Sequence, residues 1–200
     1  MKQFTTLIIL LFTITLSPLT MAKNVAAEAA VLKANNAIFM ELEKRKNELK
    51  NNPRVLNAIV ERQVLPFIDF AAMAKLTLGK HWKKATPAQQ ARFLKAYRTM
   101  LVRSYAKNMV DYAGAVMSVK SSMSAGRDGY ETVRTIITPK GRAAVAANYD
   151  VRNKSGRWQA YNVEILGLNL ITNFRTNFTR EVSSKGLDAL ISRLEKNNQS

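Results

Sequence analysis

No cysteine occurs in the 200 residues of this chain. That excludes disulfide staples, thiol nucleophiles and cysteine-ligated metal. Histidine is nearly as scarce. His81 is the single one, set between Lys80 and Trp82, with no partner pattern around it, and a lone histidine makes neither a metal site nor a catalytic triad. Glycine-rich phosphate loops of either common spacing are missing. Acidic residues number 14 against 31 lysines and arginines and are scattered along the chain, so paired carboxylates for acid–base work find no support. These absences point to a protein that is not an enzyme and that uses no cofactor and no metal.

Long apolar runs are also few. Residues 4–16 form one, broken only by threonines, behind the basic residue Lys2 and ahead of Thr20-Met21-Ala22. It is too short for a comfortable membrane span and has the layout of a cleaved secretory leader. We therefore expect residues 1–22 to be removed, Lys23 to begin the mature chain, and residues 23–200 to form a single domain. Export without cysteine fits the bacterial periplasm. The formal net charge of +17 favours anionic partners: nucleic acid, anionic lipid or an acidic protein surface. Export argues against nucleic acid.

Periodicity divides the chain into helices followed by strands. Residues 23–50 carry Val31, Ile38, Leu42 and Leu49 at helical spacing. Asn52-Pro53 starts a second helix, ended by Leu65-Pro66. Asp69 caps a short helix bearing Phe70, Met73 and Leu76, closed by Gly79. Thr86-Pro87-Ala88-Gln89 is a capping box opening the longest helix, which reaches about Tyr112 and is striped by Phe93, Tyr97, Leu101, Tyr105 and Met109. Strands are expected at 115–121, 130–138, 142–151 and 158–170, separated by turns at Arg127-Asp128-Gly129, Pro139-Lys140-Gly141 and Ser155-Gly156. In the last, Tyr161, Val163 and Ile165 alternate on one face while Asn162 and Glu164 point the other way. Two helices finish the chain. The expected fold is α+β: a curved, antiparallel, four-stranded sheet with several helices on its concave side.

The candidate site is the space between helices and sheet. Facing stripes nominate Phe70, Met73, Tyr105, Met109, Val145, Tyr149, Tyr161, Val163 and Ile165 as an apolar wall. The run Ala143-Ala144-Val145-Ala146-Ala147 leaves room above the third strand, filled either by a closely packed helix or by an apolar ligand. Arg127, Lys140, Arg142, Arg152, Lys154 and Arg157 sit at strand ends. Among them Arg142, Arg152 and Arg157 are the candidates for a basic rim facing an anionic headgroup or an acidic partner.

Several motifs, in order, resemble one family. They are Leu65-Pro66-x-x-Asp69, Leu78-Gly79-x-x-Trp82, Thr86-Pro87-x-Gln89-x-x-x-Phe93, Trp158-x-x-Tyr161-x-Val163-x-Ile165-x-Gly167-x-x-Leu170, Asn173-Phe174-Arg175-x-x-Phe178 and Gly186-Leu187-Asp188-x-Leu190-Ile191. Together they resemble the MlaC family of periplasmic phospholipid-binding proteins, also described as toluene-tolerance auxiliary proteins. Asn162 stands where that family usually has aspartate, and Asn169 where serine is common. The resemblance implies a sheet and helices around a deep apolar lipid pocket, with a phospholipid as cargo. It also implies shuttling between an outer-membrane lipoprotein–porin complex and an inner-membrane ABC transporter with an MCE-domain ring, which maintains outer-membrane lipid asymmetry. The protein is expected to be a monomer. The competing reading is a basic periplasmic adaptor or scaffold without lipid cargo.

Overall fold

The computed structural model describes residues 24–199; the expected leader 1–22 and the expected mature start at Lys23 lie outside them. Asn24 begins α1 (Val25–Lys44) by accepting a hydrogen bond from the Ala27 amide, which satisfies one of the helix's free N–H groups. The single helix expected over 23–50 is broken at Arg45 (φ −105°, ψ 15°), and α2 (Lys46–Asn51) follows. Asn52 caps α3 (Pro53–Ile59) as its sequence indicates. The helix then widens into a π turn over Val60–Val64 and tightens into a 3-10 turn over Leu65–Phe67. The Leu65 amide reaches back to the Val60 carbonyl, and Pro66, lacking an N–H, cannot continue the ordinary ladder.

Asp69 caps α4 (Phe70–Leu78), accepting from the Ala72 amide at 2.9 Å, and Gly79 (φ +53°) ends it. After the short α5 (Lys80–Lys84), both halves of the Thr86–Gln89 capping box are formed at the start of α6 (Pro87–Met109). A 3-10 turn, Val110–Tyr112, leads to the sheet.

The sheet has five strands, not four: β1 (Val116–Ser124), β2 (Tyr130–Thr138), β3 (Val145–Lys154), β4 (Arg157–Ile165) and β5 (Leu168–Asn169). They lie in sequence order, each antiparallel to the next. The extra strand arises because the stretch 158–170 folds back on itself. Leu166 (φ +53°) and Gly167 (φ +78°) make a two-residue turn, so that Leu168 pairs with Ile165 and Asn169 with Glu164. Asn169 then caps α7 (Leu170–Lys185), and Gly186 separates it from α8 (Leu187–Asn197).

Two apolar cores result. The first joins α1, α3 and one face of the sheet, through Val31, Leu42, Ile59, Val133, Tyr149 and Val151. The second joins α4, α6, α7 and α8 around Phe93, Tyr97, Phe178 and Leu190. Here the Phe93 and Tyr97 rings stack at 5.4 Å with Phe178 edge-on at 6.0 Å from Phe93, arrangements that suit aromatic quadrupoles. α6 belongs to both cores: Phe93 to Leu101 serve the second, and Ala106 the first. The alanine run is only partly core. Ala143, Ala144 and Ala146 are exposed, while Ala147 is fully buried in the cluster that contains α1.

Candidate functional site

A cavity of about 430 Å³ lies on the seam between the two cores. Each element contributes through its own periodicity. The π turn supplies Val60 and Val64, and the segment after it Ile68. α4 supplies Phe70 and Met73, three apart on one helix face; α6 supplies Leu101, Tyr105 and Met109, four apart, with Tyr112 beyond. β4 supplies Val163 and Ile165, two apart on one sheet face, and the hairpin and helix start add Leu166, Leu168 and Leu170. None of the lining side chains is charged. The polar atoms are few: Asn108 and the hydroxyls of Tyr105 and Tyr112. Burial raises the Tyr105 hydroxyl pKa above the usual tyrosine value. Such a wall holds hydrocarbon and offers no nucleophile, base or charge to react with it.

Six of the nine nominated wall residues meet in this cavity: Phe70, Met73, Tyr105, Met109, Val163 and Ile165. Three do not line it. Tyr149 is in the first core, its hydroxyl donating to Asn35 Oδ1 at 2.9 Å. Val145 opens β3 opposite Ile137, half-buried. Tyr161 falls at a bulge, where the register jumps from Asp150↔Asn162 to Val151↔Ala160. A bulge re-aims the inserted side chain. Tyr161 therefore packs against the Tyr130 ring at 5.6 Å, on the face that carries Arg152, instead of joining Val163 and Ile165. Among the lining residues not nominated from the sequence are Val60, Val64, Ile68, Leu101, Tyr112, Leu166, Leu168 and Leu170. Leu101 stood in the recognised stripe of the longest helix, and Val60 and Val64 lay within the expected second helix; the hairpin leucines could be placed only by knowing the turn at Leu166.

The three nominated arginines do not form one rim. Arg142 precedes β3, paired with Asp111 at 2.9 Å. Arg152 and Arg157 flank the turn at the opposite end of β3. Arg157 is exposed. Arg152 is held by the Tyr130 hydroxyl and by the buried carboxylate of Asp69; the bond to Tyr130 and then that to Asp69 keep its guanidinium pKa raised against the opposing effect of burial. Arg152 therefore fastens α4 to the sheet. His81 lies on α5, away from the cavity, with its pKa lowered by burial and then by Lys80 and Lys84. Among the described residues no cluster of histidine and carboxylate side chains could hold a metal ion, and no helix is long and apolar enough to cross a membrane.

The family model for the MlaC protein matches residues 33–196. The chain belongs to the MlaC family. It is 22% identical over 199 residues to the intermembrane phospholipid transport system binding protein MlaC of Haemophilus influenzae, covering 98% of this chain and 93% of that one. It is 26% identical over 150 residues to the toluene tolerance protein ttg2D of Pseudomonas putida, covering 74% and 69% of the two chains. Among solved structures, the phospholipid-binding protein of Ralstonia solanacearum in complex with a phospholipid superposes with a TM-score of 0.78 at 24% identity, over 86% of this chain and 97% of that one. This likeness shows that the two chains share the α+β fold.

Proposed function

We propose that the protein is a periplasmic phospholipid carrier, with the seam cavity as the entry to its acyl-chain site. The observation that carries this reading is an uncharged cavity of about 430 Å³ between two cores, in a chain whose family includes a protein named for intermembrane phospholipid transport. Phe70, Met73, Tyr105, Met109, Val163 and Ile165 contact the acyl chain in this reading. Val145, Tyr149 and Tyr161 take no part in it: Tyr149 lies beside Val163 in the first core, and Tyr161 packs against Tyr130 on the other face. Carriage requires no covalent step. Each methylene taken from water contributes about 0.8 kcal/mol, but a bilayer offers nearly the same, so the carrier only has to match it. Exchange is then governed by docking and opening. The partners fitting such a carrier are an outer-membrane lipoprotein–porin complex and an inner-membrane MCE-domain ABC transporter, with net lipid movement maintaining outer-membrane asymmetry.

The test is mass spectrometry of organic extracts from the purified protein, alongside Val163→Trp. We expect phospholipid with the unaltered protein. The folded variant should retain much less, because the indole occupies the space of the chain. A folded, lipid-free unaltered protein would leave the basic adaptor as the reading to pursue.

A further inference from the structure

α6 bounds a second hollow that the acyl cavity does not use. An open groove of about 650 Å³ runs between the middle of α6, residues 91–103, and the segment 57–65. The two hollows lie end to end along α6 and share one residue, Val102. Their characters differ. The cavity has no charged lining, whereas the groove presents Lys95, Arg98 and Arg103, with Glu61 as its one carboxylate. Arg98 stands at the junction: its guanidinium carbon is 5.6 Å from the centre of the Phe70 ring, and Phe70 lines the cavity. Arg92, Arg142, Arg152 and Arg193 are tied to carboxylates, but Arg98 forms no ion pair among the described residues. A cation–π contact leaves the guanidinium's N–H edge free for an anion.

We propose that this groove holds the phosphodiester headgroup of the bound lipid, with Arg98 and Lys95 as donors to its oxygens and the acyl chain passing over Val102 into the cavity. This rests on the carrier reading above and deepens it, and it replaces the dispersed arginines of the sheet as the headgroup contact. A planar guanidinium meets two phosphate oxygens at once, and lysine adds a point charge. Phe70 fixes the guanidinium plane at the boundary between hydrocarbon and headgroup.

The experiment compares delipidated protein loaded from vesicles with phosphatidylglycerol or with diacylglycerol of the same chains, which lacks the phosphate. The proteins are the unaltered one, Lys95→Gln/Arg98→Gln, and Arg142→Gln as a control at the far end of β3. We expect the unaltered protein and the control to prefer the phospholipid. The double variant should lose at least about tenfold of that preference, as removal of charge-assisted hydrogen bonds requires, with its diacylglycerol binding unchanged. An unchanged preference in a double variant that still takes up both lipids would overturn the headgroup assignment alone. Failure of the unaltered protein to take up either lipid would instead overturn the carrier reading. Inorganic phosphate added to delipidated protein should not raise its melting temperature. A rise that is lost in the double variant would assign the groove to a free phosphate ion and overturn the headgroup proposal.

Discussion

Asp69 does three jobs within one residue. Its amide donates to the Ala160 carbonyl at 2.8 Å, one carboxylate oxygen accepts from Ala72, and the other accepts from Arg152. The cap was legible in the sequence, since an aspartate immediately before an apolar helical stripe has one ready explanation. The bond to Arg152, 83 positions away, was not, because nothing local encodes it. Burial alone would push the Asp69 carboxyl up, but the Ala72 amide and the Arg152 guanidinium outweigh it and hold the pKa below the ordinary aspartate value. A depressed folded pKa contributes stability above the unfolded value, and that stability is lost as pH falls through the folded one. Asp69→Asn, which keeps a capping oxygen, should cost about 2 kcal/mol at pH 7. The cost should shrink once the pH drops below about 3.9, where the unfolded aspartate is protonated. Urea unfolding at both pH values measures this; a gap independent of pH would show that charge plays no part. Tyr97 runs the other way. Burial raises its hydroxyl to about 12, despite the bond with Thr77. Its contribution is complete below about pH 10, the unfolded value, and disappears as pH climbs toward the folded one. Tyr97→Phe should therefore cost about 1 kcal/mol at pH 8 yet lose less stability than the unaltered protein between pH 8 and 11.5. Equal losses on the alkaline side would refute it.

At the scale of elements, what the sequence showed and what it hid divide by mechanism. Helices opened by side-chain caps were readable: Asn52, Asp69 and Thr86 all cap where expected. So was the second strand, whose buried residues alternate as Glu131, Val133, Thr135 and Ile137. Devices without a residue signature were not. The bulge at Tyr161 interrupts a perfect alternation, and the turn at Leu166-Gly167 uses leucine where asparagine or aspartate would signal it. Leu166 is 73% exposed in the left-handed region, a conformation that costs a residue with a Cβ about 1 kcal/mol. Leu168 beside it is 48% exposed. Two exposed leucines at the mouth of an apolar cavity suit contact with another apolar surface during lipid exchange. Leu166→Asn should relieve the strain and raise the melting temperature by about 2–4 °C, while slowing lipid transfer between vesicles. A variant that is stabilised and transfers at full speed would separate the strain from function.

Across the described residues two cores share α6, and that organisation explains why the cavity could be only partly read. Each stripe was visible by itself, but a cavity is defined by where two clusters fail to close, and the seam takes part of its lining from the π turn and from the β4–β5 hairpin. It also sets how stability and cargo are linked. Ile68 packs against both clusters, and the cavity takes side chains from each. A chain of hydrocarbon in the seam therefore contributes contacts to both cores at once, which the empty protein lacks. A ligand that binds only the folded state stabilises it by about 2.7 kcal/mol at one hundred times its dissociation constant. For a domain of this size that corresponds to a rise of about 5–10 °C in melting temperature. Lipid-loaded protein should melt higher than delipidated protein by that amount. Ile165→Trp, filling the seam from β4, should narrow the difference by depressing the loaded form while leaving the delipidated form within about 1–2 kcal/mol of its original stability. Calorimetry of both forms of both proteins decides the matter. If the loaded and delipidated proteins melt together, the lipid does not bridge the two cores, and its chain resides outside the seam.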